Sequence, residues 1–116
     1  MPDEEPLLDV DRLDEIVALL GDELPPLLEK SITNLSRNLG LLERDGTTIP
    51  DFGRAAHAIA SSSLQLGLRA LGLRARRLEG SARTLSPEAR IPEVLALRAL
   101  ADRSTVALRE YLARGA

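Results

Sequence analysis

Hydrophobic residues recur along this chain at intervals of three and four, the spacing that lines one face of an α-helix. Leu13, Ile16, Val17 and Leu20 mark a short first helix over 10–20, and Gly21 follows as a stop signal. From about Asp22 to Glu43 the series Leu24, Leu27, Leu28, Ile32, Leu35, Leu39 and Leu42 predicts a second helix. Pro25 and Pro26 fall in its first turn, where a missing N–H costs little. Residues 44–50, with Asp45-Gly46 and a later Pro50, read as a loop before a third helix that opens near Pro50 or Asp51 and reaches about Leu66. Gly67 breaks the pattern, and Leu68, Leu71, Ala75, Leu78 and Ala82 carry a fourth helix. Ser86-Pro87-Glu88 then opens a long last helix supported by Ile91, Val94, Leu95, Leu97, Ala101, Val106, Leu108 and Leu112, in which Pro92 fits only within the first turn. Short connections favour antiparallel neighbours, so the expected fold is all-α: an up-and-down antiparallel four-helix bundle with a short additional N-terminal helix.

Composition narrows this picture. A chain of 116 residues, 44% hydrophobic, suits one domain spanning 1–116. With only 2% aromatic residues the core must come from Leu, Ala, Ile and Val, which favours packed helices over a sheet. The absence of cysteine excludes disulfides and thiolate zinc sites, and a single His excludes a multi-histidine metal centre. No apolar run is long enough to span a bilayer, and the start Met1-Pro2-Asp3-Glu4-Glu5-Pro6 is acidic where a secretory signal is basic, so the expectation is a cytoplasmic protein without membrane contact.

Charge is unevenly spread. Residues 1–50 hold 4 basic and 12 acidic side chains (−8), whereas residues 51–116 hold 11 basic and 6 acidic (+5). The pI of about 5.2 and the lack of aromatic residues among the arginines argue against nucleic acid, leaving a partner-facing or intramolecular charge pattern.

Most chemistry can be set aside: there is no phosphate-binding Gly-rich loop, no dinucleotide fingerprint, no thiol nucleophile and no triad. What remains is the helix around His57. At about 100° per residue, Phe52, Ala55, Ile59, Ser62 and Leu66 lie opposite His57 and should face the core, whereas Gly53, Arg54, Ala60, Ser61 and Leu64 cluster within roughly 60° of it. The imidazole is thus expected to stand in solvent on a low surface of small side chains. A neutral imidazole nitrogen is a nucleophile at about pH 7, and small neighbours let a second protein approach it. Leu64 adds an apolar contact, and Arg54 could neutralise phosphate charge. Of Ser61-Ser62-Ser63, the last two point partly inward and suit close helix packing.

The run His57-Ala58-Ile59-Ala60-Ser61-Ser62-Ser63-Leu64-Gln65-Leu66-Gly67, with Leu71 and Leu78-Glu79 beyond it, resembles the His-x-Leu-Lys-Gly-Ser-x-x-x-Leu-Gly signature of histidine phosphotransfer domains and its trailing Leu-Glu. Leu7-Leu8-Asp9 and Leu19-Leu20-Gly21-Asp22 are similar to the family's N-terminal region. The resemblance implies a phosphorelay role in two-component signalling. His57 would accept a phosphoryl group on its outer ring nitrogen from an aspartyl phosphate and pass it to another aspartate, without ATP hydrolysis. The implied partner is the receiver domain of a response regulator or hybrid histidine kinase. The resemblance further implies that Mg²⁺ resides on that receiver and that this chain needs no metal or cofactor, while a monomer is the default expectation for this architecture. Two positions depart from the family. Its Lys is Ala60 here and its Gly is Ser61, which removes a cation beside the phosphoryl group. The resemblance places Arg83 on the neighbouring helix as a substitute, ahead of Arg54 and Arg76. The alternative reading is a helical interaction module that docks a receiver or kinase domain without carrying phosphate, favoured by the Ala at 60.

Overall fold

The computed structural model describes residues 5–115; the acidic start over residues 1–4 and the last residue lie outside the described residues. Among the described residues five α-helices form: α1 (Val10–Leu20), α2 (Leu24–Glu43), α3 (Ile49–Gln65), α4 (Arg69–Ser81) and α5 (Pro87–Gly115), with a 3-10 turn, Gly21–Glu23, between α1 and α2. Local chemistry sets the boundaries. Asp9 caps α1 by accepting from the Arg12 amide at 3.1 Å, Thr48 caps α3 by accepting from the Asp51 amide at 3.2 Å, and Ser86 accepts from the Ala89 amide at 3.1 Å at the start of α5. Gly21 takes φ +51° at the end of α1, a conformation open to glycine at little cost.

Two details differ from the sequence pattern. The chain tightens into the 3-10 turn after Gly21, so α2 begins at Leu24 rather than Asp22. Pro92 lies past the first turn of α5. Its ring removes the amide that would bond the Glu88 carbonyl, and both residues are exposed, so water can serve that oxygen.

Helices α2 to α5 pack together around one apolar cluster, and Leu13 carries α1 into it. Phe52, Ile59, Leu71, Leu97 and Leu108 are its large side chains with no exposure. Burial of each such side chain is worth about 1.5–3 kcal/mol, which makes this cluster the main source of stability.

The tightest helix contact joins α3 to α4. A Cβ built on Gly72 would lie 2.5 Å from Leu64 Cγ, and one built on Gly53 would lie 4.0 Å from Ala82 Cβ. Together with a contact between positions 57 and 79, these pairs make α3 and α4 an antiparallel hairpin centred on Gly67 and Leu68. Gly67 turns the chain at φ +84°. An extended strap clamps that turn: the Asp9 amide donates to the Gly67 carbonyl at 2.8 Å and the Arg69 amide to the Leu7 carbonyl at 3.0 Å. The strap satisfies a donor that α4 leaves open, since Leu68 offers no side-chain cap.

Ion pairs stitch the rim. Arg98 of α5 grips Glu43 of α2 with two bonds of 2.8 Å, and Arg109 grips Glu29 at 2.7 Å. Hydrogen bonding to these guanidinium groups holds both carboxyls below the usual carboxylate range. The Tyr111 hydroxyl donates to Asp14 and ties α1 to α5, and that bond pushes the phenol pKa up. Among the described residues no helix is long and apolar enough to cross a membrane.

Two predictions follow from this packing. Gly72→Ala drives a methyl group into Leu64 at the closest point of the hairpin and should lower stability by about 1–3 kcal/mol, read as a shift in the urea midpoint. The Glu43 carboxyl is depressed in the folded protein, so its contribution is present above the unfolded-state value and is lost as pH falls through the folded one. The stability difference between wild type and Arg98→Gln, about 0.5 kcal/mol at neutral pH, should therefore shrink as pH falls below the ordinary Glu value of about 4.3 and vanish once pH is under the depressed folded value.

Candidate functional site

His57 stands midway along α3, and its side chain keeps 67% of its exposure. The segment is helical because Thr48 caps it, Pro50 occupies its first turn and Phe52, Ala56 and Ile59 anchor its inner face. Opposite His57 on α4 stands Glu79, whose carboxylate Oε2 lies 3.0 Å from the imidazole Nδ1. A carboxylate only accepts, so in the neutral ring Nδ1 carries the hydrogen and donates it to Glu79. The lone pair is then on Nε2, the outer nitrogen, which bonds no protein group among the described residues. This pair orients the ring, fixes its tautomer and leaves a nucleophile facing solvent.

The surroundings depart from a simple helical-wheel surface. Ala60 is 4% exposed and belongs to the core, although the wheel sets it near His57. The reason is that α4 covers one flank of α3, so the buried arc extends from Phe52 and Ile59 round to Ala56 and Ala60 and stops just short of His57. Leu64, expected as an exposed contact, is half-buried against Gly72. Gly53 is half-buried near Ala82, and Ser61 is exposed. Ser63 is buried, and the Ser62 hydroxyl turns back to bond the Ala58 carbonyl at 2.9 Å.

The arginines are differently engaged. Arg54 pairs with Asp51 one turn earlier on α3 and is mostly exposed. Arg83 is exposed just past the end of α4, and no hydrogen bond or ion pair joins it to His57 or Glu79. Arg76 is exposed one turn before Glu79. Thus the structure brings Glu79 to His57 by direct contact and sets Arg76 and Arg83 one turn to either side of that carboxylate.

Glu79 is the residue that pattern reading left without a role. The available signal was the break at Gly67: an antiparallel hairpin centred there brings position 79 opposite position 57. Among the described residues no group of three or more His, Cys, Asp or Glu side chains converges as a metal-binding set.

Free histidine favours the Nε2–H tautomer, so the pair has a spectroscopic consequence. Nitrogen-15 shifts of His57 in its neutral state should show Nδ1–H as the major form, and Glu79→Ala should move the population toward Nε2–H; an unchanged spectrum would contradict the bond. The site's own geometry carries the functional argument, because no family model, curated protein or solved structure matches this chain.

Proposed function

We propose that this chain is a histidine phosphotransfer protein, a single-domain phosphocarrier that relays a phosphoryl group between receiver-domain aspartates through His57. The observation that carries the reading is the His57–Glu79 pair: an exposed imidazole on a rigid helix, its inner nitrogen held by a carboxylate and its outer nitrogen open. The resemblance of 57–67 and Leu78-Glu79 to that family's signature agrees with it. Opposed ion pairs between α2 and α5, Glu29 with Arg109 and Glu43 with Arg98, agree with the up-and-down antiparallel arrangement of such bundles.

In the proposed step the Nε2 lone pair attacks the phosphorus of an aspartyl phosphate. The bond from phosphorus to the aspartate oxygen breaks, and the carboxylate leaves with its electron pair. The ring becomes cationic as the N–P bond forms, and its Nδ1–H remains on the carboxylate of Glu79, which stabilises that charge. The return step reverses this order onto a second aspartate. Positioning and charge neutralisation supply the catalysis, as in other phosphoryl transfers, and Mg²⁺ belongs to the receiver's chemistry. Gly53 and Ser61 keep the approach to Nε2 low, and Arg54 on α3 and Arg83 just past the end of α4 are the cations assigned to neutralise phosphate. A cytoplasmic monomer fits this role.

The second reading is a docking module without phosphate. It is favoured by the burial of Ala60, which leaves no cation one turn beyond His57 on α3.

The test is incubation with phosphorylated receiver domains and Mg²⁺, followed by an acid-labile phosphate assay. Label should appear on the wild type and fall by at least about a hundredfold in His57→Ala, with helicity unchanged. Glu79→Ala should label more slowly, by roughly tenfold, because the ring loses its orientation and its counter-charge. Receiver binding without any label on the wild type would leave the docking module as the function.

A further inference from the structure

The outward face of α4 is lined with arginines, two of which, Arg76 and Arg83, pair with no carboxylate among the described residues. Arg69, Arg76 and Arg83 recur every seven residues, so they drift by only about 20° per step and extend over about 21 Å along the helix and its continuation. Arg77 lies beside Arg76, and the two border a shallow cavity of about 420 Å³ that Arg74, Arg103 and the acidic Glu5 also line, with Leu73 and Leu100 among its apolar residues.

A contrast within the molecule sets this belt apart. On the far side of the bundle, Arg98 and Arg109 each have a carboxylate of a neighbouring helix, held by two hydrogen bonds. On α4, Arg69 has Glu5 at 3.1 Å, Arg74 has Glu93 at 3.7 Å, and no carboxylate pairs with Arg76 or Arg83 among the described residues. Glu79, the one acid of this helix, is engaged with His57. Like charges about 10 Å apart lie within roughly one Debye length and repel, and within this row only Arg69 has a carboxylate partner among the described residues, Glu5.

Its position gives the row a use. Arg76 stands one turn before Glu79 and Arg83 one turn after, which sets both cations along α4 to either side of the carboxylate that holds the imidazole. We infer that the α4 arginine belt is a docking surface for an acidic face of the receiver domain that exchanges phosphate with His57, an inference that rests on the phosphoacceptor reading. An aspartyl phosphate and its neighbouring carboxylates concentrate negative charge. A cationic row beside the acceptor draws that charge in and turns it toward Nε2. Nucleic acid is a poorer fit to the same row: no aromatic side chain lines the cavity, and the chain as a whole carries a net charge of −3.

The experiment separates docking from chemistry by using two phosphate donors. Receiver domains phosphorylated with acetyl phosphate and Mg²⁺ must dock, whereas phosphoramidate is a small donor that labels His57 without a protein surface. Wild type is compared with Arg69→Gln/Arg76→Gln. Glu5→Gln serves as a control that removes the Arg69 ion pair while keeping the arginine. Arg69 lies about 15 Å along the helix from Glu79, too far to act on the ring directly.

Transfer from the receiver to wild type should slow by about tenfold between ~20 mM and ~500 mM salt, and at low salt the double variant should be slower than wild type by roughly the same factor. Phosphoramidate labelling of Arg69→Gln alone should stay within about twofold of wild type while its transfer from the receiver still slows at low salt, and Glu5→Gln should match or exceed wild type in both assays. Equal receiver rates in wild type and double variant, transfer from no receiver despite phosphoramidate labelling, or retention of nucleic acid by these arginines would each overturn the docking inference while leaving His57 an acceptor. Failure of phosphoramidate to label wild type would instead remove the phosphoacceptor reading itself.

Discussion

The close approach of α3 and α4 at Leu64 and Gly72 is the constraint on which the rest of the site depends. Without a side chain at position 72, α4 settles directly on the flank of α3 and the hairpin has a single register. That register brings Glu79 to His57. The same closeness buries Ala60 and half-buries Leu64, and it leaves the arginines of α4 on the outer side because its inner arc is filled by Leu71, Ala75 and Leu78. The His57–Glu79 pair and the outward row of arginines thus descend from one close contact between helices.

The remaining elements hold that hairpin in place. Helix α5 lies against both α2 and α4 and contributes Val94, Leu97 and Leu108 to the common cluster. The strap over Leu7 to Asp9 and the first helix secure the turn, with Leu13 packed close beneath Gly67 and the Arg12 Nε donating to the Gln65 carbonyl at 2.9 Å. Apolar burial supplies most of the stability, and exposed ion pairs at the rim add a fraction of a kcal/mol each. Their larger effect is on register, since a bidentate pair such as Arg98 with Glu43 fits only one alignment of its helices.

How much of this was legible in the sequence depends on the range of the interaction. Helix limits were readable to within a few residues because breaks and periodicity act locally: Ser86-Pro87 opens the last helix and Gly21 and Gly67 mark breaks, whereas the capping roles of Asp9 and Thr48 emerged only with the structure. The exposure of His57 was readable from its angle to Phe52 and Ile59. The burial of Ala60 was not, because a wheel drawn for one helix locates the centre of the buried face but not how far a neighbour extends it. That extent is set by Gly72, in a different helix. The role of Glu79 needed the hairpin register, a relation across the turn that no local pattern encodes. Pro92 shows the converse: a local rule placed it in the first turn, and an exposed, water-accessible carbonyl made a deeper position tolerable.

The bond from Tyr111 to Asp14 has a bearing on how this molecule can be watched. The chain has one tyrosine and no tryptophan, so its near-ultraviolet absorbance and intrinsic emission arise almost wholly from a single phenol. That phenol sits where α1 meets the end of α5, hydrogen-bonded to a carboxylate that quenches it. The protein's natural fluorophore therefore reports the docking of its first helix and is blind to events at the imidazole.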